Sequence, residues 1–237
     1  MAYVTKNRVL RSLPVDDRRI VLEECEEADL AGGMTLDRIG EPISTVYFPE
    51  TAVISTVATY SDGSTIEMAN IGREGCTGIG LTLGHAHQPN SNEVQISGSA
   101  LSMPAKKFNR LKAKLPSFEA LLFSAVQATI YQIMVSGACN AAHNTEQRLA
   151  RWLLTMSDRN DSQTMLLTQD FLAEILGLRR ATISNAASRF QEKGMIAYSR
   201  GRIEITDHPA LRRSSCECYE LVRTTQDWLL PDATASA

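Results

Sequence analysis

Apolar positions change rhythm several times along the chain. Over the first thirty or so residues Leu10, Leu13, Ile20 and Leu22 stand isolated among charges, which predicts short helices lying as a surface cover. From Ile43 to Met103 the texture becomes short β-branched and aromatic runs, at 44–48, 52–60, 64–71 and 93–103, separated by turn signals at Pro49, Asp62-Gly63 and Gly72 to Gly80. This predicts an antiparallel sandwich or barrel. Asp62-Gly63 between two alternating runs predicts a hairpin, because a type I′ turn needs positive φ at both central positions.

Pro104 closes the β region, and Ala105 to Lys114 reads as a short basic helix stopped near Pro116. From Ser117 to about His143 there is no proline and a single glycine, Gly137, so one long helix is predicted, with Ser117 as its cap and Glu119 in its first turn. It is apolar nearly all round, so it must be buried on more than one side. One face is expected on the β domain. The other, Leu122, Ala125, Thr129, Gln132, Ser136 and Cys139 at spacings of three and four, is expected to meet its own copy in a homodimer. Asn144 with Gln147 three residues on has the form of a capping box, which starts a new helix carrying Leu149, Trp152 and Leu153 inward and places a domain linker near Asn144. Residues 158–162 read as a polar turn, residues 214–230 as a terminal helix, and the tail from Pro231 as disordered.

The most informative block runs from Thr168 to Phe190 and reads as two helices broken at Gly177. A helix-turn-helix crosses its helices closely. It needs a small residue at the crossing, a glycine four later for a left-handed turn, and an apolar residue six beyond that to anchor the second helix. Ala173, Gly177 and Ile183 meet those demands, with Leu172, Ile175, Leu176, Leu178, Ala187 and Phe190 as core. Gly194 ends the second helix, and residues 196–206 have the form of a hairpin, or wing, with the basic tip Arg200-Gly201-Arg202.

Charge sharpens this picture. The whole chain carries −3, yet between Arg179 and Arg202 there are six basic residues and one acid, Glu192, a local +5. That is the footprint of a double-stranded DNA partner. The residues expected on the DNA side are Thr168, Arg179, Arg180, Thr182, Ser184, Asn185, Ser188, Arg189, Arg200 and Arg202. With 237 residues and 43% hydrophobic content there is material for two cores. No run approaches the roughly 20 apolar residues of a membrane span, and the N-terminus lacks a signal peptide, so a cytoplasmic protein without a membrane partner is expected.

Taken together, LAEILGLRRATISNAASRFQEKGMI at 172–196, the hairpin after it, the long helix and the β region resemble the Crp/Fnr family of bacterial transcription regulators, over most of the length. The resemblance implies an α+β protein: an N-terminal antiparallel β-roll of the cyclic-nucleotide-binding kind at 1–116, a dimerisation helix at 117–143, a winged helix-turn-helix at 144–213, and a C-terminal helix and disordered tail at 214–237. It implies a homodimer on a two-fold-symmetric operator, with RNA polymerase as a further partner, and no enzyme activity. By the same match Arg180 and Asn185 lie where bases are read, and Thr182 and Arg189 where the backbone is held. Ala181 departs from the pattern, since well-known members have a base-reading glutamate there, so the operator is expected to differ at that step.

Family members that bind cyclic nucleotides hold the phosphate with an Arg-Ser pair and the ribose with a Gly-Glu pair. Counting back from Lys106-Lys107-Phe108, the Arg-Ser positions fall near Gln88 and Pro89, which offer no guanidinium fork. Control by cyclic AMP is therefore not expected, and the effector is not identified. Arg73 and Glu74 read as a solvated pair at a turn. Only Cys25 lies near the N-terminus, which disfavours an iron–sulfur sensor.

The alternative from a different class is a metal-dependent cupin-like enzyme or sensor built on His85, His87 and Glu93. The companion histidine on another strand is missing, so these are expected to be exposed loop residues. No nucleophile with a base partner stands out. The five cysteines, Cys25, Cys76, Cys139, Cys216 and Cys218, are scattered and odd in number, and Cys216-x-Cys218 has no second pair at metal spacing. They are expected to be structural or incidental thiols, with no metal and no cofactor.

Overall fold

A computed structural model describes residues 4–62, 65–161 and 164–231. The N-terminal unit begins with α1 (Arg8–Arg11) and α2 (Val15–Leu22), followed by β1 (Glu26–Leu30), β2 (Thr35–Asp37), β3 (Thr45–Pro49), β4 (Val53–Thr59), β5 (Thr65–Ile71), the short α3 (Ile79–Thr82), β6 (Ser91–Ile96) and β7 (Gly98–Pro104). Two antiparallel sheets, ordered β1-β7-β3 and β2-β6-β4-β5, face each other. Leu30, Ala52, Ile54, Ile71, Val94 and Ala100 fill the space between them. The hairpin around Asp62 is present as the β4–β5 pair, with Thr59 opposite Thr65. Its Gly63 lies outside the described residues.

Two early expectations need correction. The first helices are not a mere surface cover, because Val9, Leu10, Leu13 and Val21 are fully buried. The β region also begins earlier than Ile43, at β1, whose sequence EEADL shows no apolar alternation and whose strand is set by pairing with β7 from Glu26↔Ser102 to Leu30↔Gly98.

α4 (Ala105–Lys114) leads into α5 (Pro116–Ala142). Pro116 occupies the first turn of α5, where its missing N–H costs nothing. Ser117 is therefore not the cap; its hydroxyl bonds Asp17 instead. Phe108, Phe118 and Phe48 anchor the start of α5 on the roll, with the Phe108–Phe118 rings edge to face at 5.7 Å and 73°. By length and composition α5 is one helix among the described residues that is apolar enough to cross a membrane, so the expectation that no segment approaches a span is also corrected. Its small residues and few charges, rather than a dense run of Leu and Ile, produce that result.

The expected dimer face of α5 is turned inward: Leu122, Ala125, Gln132 and Cys139 are buried within the chain, and Thr129 and Ser136 are half-buried. The face left open holds Phe123, Gln127, Ile130, Met134, Gly137 and Ala141, alternating four and three apart. Because α5 is apolar on every side, periodicity could not decide which side would find the roll.

After Asn144, whose side chain and that of Gln147 close the capping box, come α6 (Thr145–Arg159), β8 (Thr164–Leu166), α7 (Gln169–Leu176), α8 (Arg180–Glu192), β9 (Ile196–Ser199), β10 (Arg202–Ile205), α9 (His208–Ser214) and α10 (Cys218–Leu229). The polar turn expected at 158–162 starts only at Asn160, because α6 runs on to Arg159, and its Ser162 lies outside the described residues. These helices bury their own core around Trp152, Leu172, Ile183, Phe190, Ile196 and Ile203. The tail at 232–237, expected to be disordered, lies outside the described residues.

The two units meet on Arg159, at the end of α6, which is 3% exposed. Its Nε donates to Glu74 Oε2 at 3.1 Å, one terminal nitrogen donates to Gln132 Oε1 on α5 at 3.0 Å, and the other donates to Asn70 Oδ1 on β5. Gln132 Nε2 returns a bond to Asn70 Oδ1 at 2.8 Å. Glu74 is thus no partner of Arg73, which instead reaches Asp161 at 2.9 Å. Beside this junction Trp152 Nε1 donates to Glu67 at 3.1 Å, and burial holds the Glu67 carboxyl above its usual range. Gly72 makes room for the guanidinium stem: a Cβ there would stand 2.3 Å from Arg159 Cδ.

Removing one partner of a buried pair leaves an uncompensated charge, worth about 3–5 kcal/mol. Glu74→Gln is therefore expected to destabilise the protein by about that amount in urea unfolding. A loss below about 1 kcal/mol would show that the pair is solvated.

Candidate nucleic-acid interface

Thr168 caps α7, its hydroxyl accepting from Phe171 N–H at 3.1 Å. Gly177 then turns the chain with φ +62°, a region open to glycine at little cost. Leu178 N–H returns to Ala173 C=O at 2.8 Å, and the Leu176 carbonyl accepts from Arg148 at 2.6 Å. Both bonds satisfy carbonyls that the end of a helix leaves open. Ala173 is 6% exposed and Ile183 fully buried, so the small crossing residue and the anchor occupy their expected places.

This packing leaves one side of α8 free. Arg179 is its N-cap residue and Arg180 its first residue; both are exposed, as are Ala181, Asn185, Ser188 and Arg189. Thr182 and Ser184 are half-buried at its flank. Arg180 lies 3.3 Å from Asp170 in a pair about two thirds exposed, 68% and 66%, and Arg189 pairs with Glu146. Exposed pairs of this kind contribute about 0–1 kcal/mol, so both guanidinium groups can leave these partners at small cost.

The wing is a two-residue hairpin, with Ser199 opposite Arg202 and the turn at Arg200 and Gly201 at φ +51° and +73°. Arg200 is the one non-glycine with positive φ among the described residues. Left-handed backbone costs a side-chain-bearing residue roughly 1–2 kcal/mol, and such local strain is a recurrent mark of functional turns. Arg202 projects from β10 and is exposed. β8, which sequence periodicity missed, completes a three-stranded sheet by pairing Leu166 with Arg202. Leu167 N–H then bonds the Gly201 carbonyl at 2.8 Å, and Arg180 pairs with Asp170 in the first turn of α7, so the wing turn, Thr168 and the start of α8 adjoin on one side of the domain.

Elsewhere, His85 and His87 are exposed in the loop after α3, and Glu93 lies on β6. The C-terminal thiols are not scattered: Cys216 and Cys218 come together with Cys139 and His143, their ligand atoms all within 4.8 Å of one another. This corrects the expectation of incidental thiols without metal-ligand company. The sequence signal was a Cys-x3-His at the end of one helix and a Cys-x-Cys before another, more than seventy residues apart.

A family model described as a Crp-like helix-turn-helix domain matches residues 147–214. The transcriptional regulatory protein btr of Bordetella pertussis is 23% identical over 197 residues, 79% of this chain and 80% of that protein. In fold, a CRP-family transcriptional regulator of Thermus thermophilus superposes with a TM-score of 0.64 at 18% identity, covering 79% of this chain and 96% of the other. FixK2 of Bradyrhizobium japonicum superposes with a TM-score of 0.64 at 16% identity, covering 81% and 98%. The chain thus carries a Crp-like helix-turn-helix domain at residues 147–214, and its β-roll, long connecting helix and C-terminal domain together are similar in fold to these two regulators.

Proposed function

We propose that the protein is a homodimeric, sequence-specific DNA-binding regulator that reads a two-fold-symmetric operator through α8 and is not controlled by cyclic AMP. The observation that carries this reading is the continuous exposed face formed by Thr168, α8 and the wing, set behind a helix with an uncovered apolar stripe.

On that stripe Phe123 is 47%, Ile130 51% and Met134 60% exposed. Four-three spacing is the seam of a two-helix coil, in which the same stripe on a second copy supplies the missing cover. Leu122 and Ala125, by contrast, are already spent on the roll. Ile130→Glu or Met134→Glu is accordingly expected to give folded monomers by sedimentation at micromolar concentration, while the parent sediments as a dimer. A monomeric parent would remove the dimer from the reading.

In this reading Arg180 donates in bidentate fashion to a guanine edge in the groove and Asn185 contacts a base, adenine through N6 and N7. Arg180→Ala or Asn185→Ala is expected to cost about 1–3 kcal/mol on the preferred operator and to relax preference at one position per half-site. Arg189, Arg200 and Arg202 act as phosphate contacts in this reading. Their loss is expected to weaken all sequences about equally and to flatten the salt dependence by about one unit of slope per half-site. Titrations on operator and scrambled duplexes at several salt concentrations separate the two groups; equal losses on both DNAs for Arg180→Ala would refute base readout by α8.

The roll argues against a cyclic nucleotide. Gln88 is buried, with its backbone bonded to Gly40 and Glu41. Pro89 beside it is exposed. Glu74 is committed to Arg159. A cleft of about 720 Å³ lies between the roll and α7, and its lining includes Glu93 and Glu174 but no arginine or lysine. Calorimetry with millimolar cyclic AMP is expected to show no saturable heat, and a micromolar dissociation constant would contradict this assignment.

A further inference from the structure

We propose that Cys139, His143, Cys216 and Cys218 form a closed Cys3His site for a zinc ion that staples the two ends of the DNA-binding domain to the long helix. Cys139 and His143 are four apart at the end of α5, hence on one face, and His143 N–H bonds the Cys139 carbonyl at 3.0 Å. Cys216 and Cys218 lead into α10, which packs along α5. Three thiols and an imidazole are a usual structural zinc set.

The spacing fits one ion. With Zn–S near 2.3 Å, a tetrahedral centre separates its donors by about 3.5–3.8 Å. Cys139 Sγ and Cys216 Sγ stand 3.5 Å apart, and Cys218 Sγ lies 3.7 Å from His143 Nδ1. The imidazole is already oriented for the task. Its Nδ1 faces the sulfurs while Nε2 lies 3.3 Å from the carboxylate of Glu217, the residue between the two cysteines. A metal-bound histidine characteristically gives its other N–H to such a carboxylate, which fixes the tautomer and strengthens the ligand.

The surroundings suit a structural rather than a catalytic ion. Cys139 is 0%, Cys216 4% and Cys218 5% exposed, walled by Val135 and Val222 with Tyr131 against them. Four protein donors leave no open position for substrate. Binding Zn²⁺ breaks three S–H bonds, forms three Zn–S bonds and one Zn–N bond, and releases three protons to solvent. No electrons are transferred.

Position gives the site its consequence. The Crp-like domain spans residues 147–214, so its chain enters just after His143 and leaves just before Cys216. The far end of α10 is held separately, where Arg8 bonds the Leu230 carbonyl at 2.9 Å and pairs with Asp227. The ion therefore fixes α10 at its near end and holds the entry and exit of the DNA-binding domain together.

The test is metal analysis of untagged full-length protein, purified under reducing conditions from zinc-supplemented cultures. About one zinc per chain is expected, and cobalt substituted for it should give thiolate-to-metal charge transfer and tetrahedral visible bands. Cys216→Ser and Cys218→Ser should each lower metal affinity about 10-fold or more. His143→Cys should keep about one zinc in a four-sulfur site, so the proposal stays testable if the serine variants fail to fold. Less than about a tenth of a metal ion per chain, with no cobalt bands on titration of the reduced protein, would overturn it. So would an intact mass lacking two hydrogens, the mark of a Cys139–Cys216 disulfide in place of a metal.

Discussion

A guanidinium with almost no solvent contact must spend its donors on protein, and Arg159 spends them on three elements at once: the loop carrying Glu74, β5 through Asn70, and α5 through Gln132. That requirement sets how the roll, the long helix and the DNA-binding domain sit together. Gly72 is a glycine because the arginine stem lies on it. Gln132 points inward because it completes the junction, and a helix that turns Gln132, Leu122 and Ala125 to the roll turns Phe123, Ile130 and Met134 to the outside.

The same orientation governs what the protein presents to partners. With the inner side of α5 filled, the outer stripe is the surface left for a second copy in the proposed dimer, which would bring two α8 helices under one symmetry axis. The exposed face of α8 is held by short-range features: the left-handed Gly177, the buried Ile183 and the wing turn at Arg200. Its charges rest on weak surface partners, Asp170 and Glu146. Such a face is held in shape by the fold itself, while its charges are tied to those partners only weakly.

Much of this was legible in the chain where the signal is local. The helix over 105–114, the capping box at Asn144, the turn at Gly177 and the hairpin near Arg200 each follow from residues within one turn of each other. What escaped depends on distant pairing. β1 is acidic and β8 is three residues long, and both exist because a partner strand supplies the hydrogen bonds. The direction of α5 was ambiguous because all its sides are apolar. Arg159 and Glu74, like Cys139 and Cys216, are neighbours only after two domains have docked.

In the proposed reading operator symmetry unites these features, since it requires the outer stripe of α5, the exposed face of α8 and the docking that holds them in register. Selection from a random duplex pool with the full-length protein, followed by hydroxyl-radical footprinting of the recovered sequence, measures it directly. The account predicts an inverted repeat whose half-sites are centred roughly 34 Å apart, one helical turn, with protection on both. Recovery of a single unrepeated half-site, or of no preferred sequence, would contradict it.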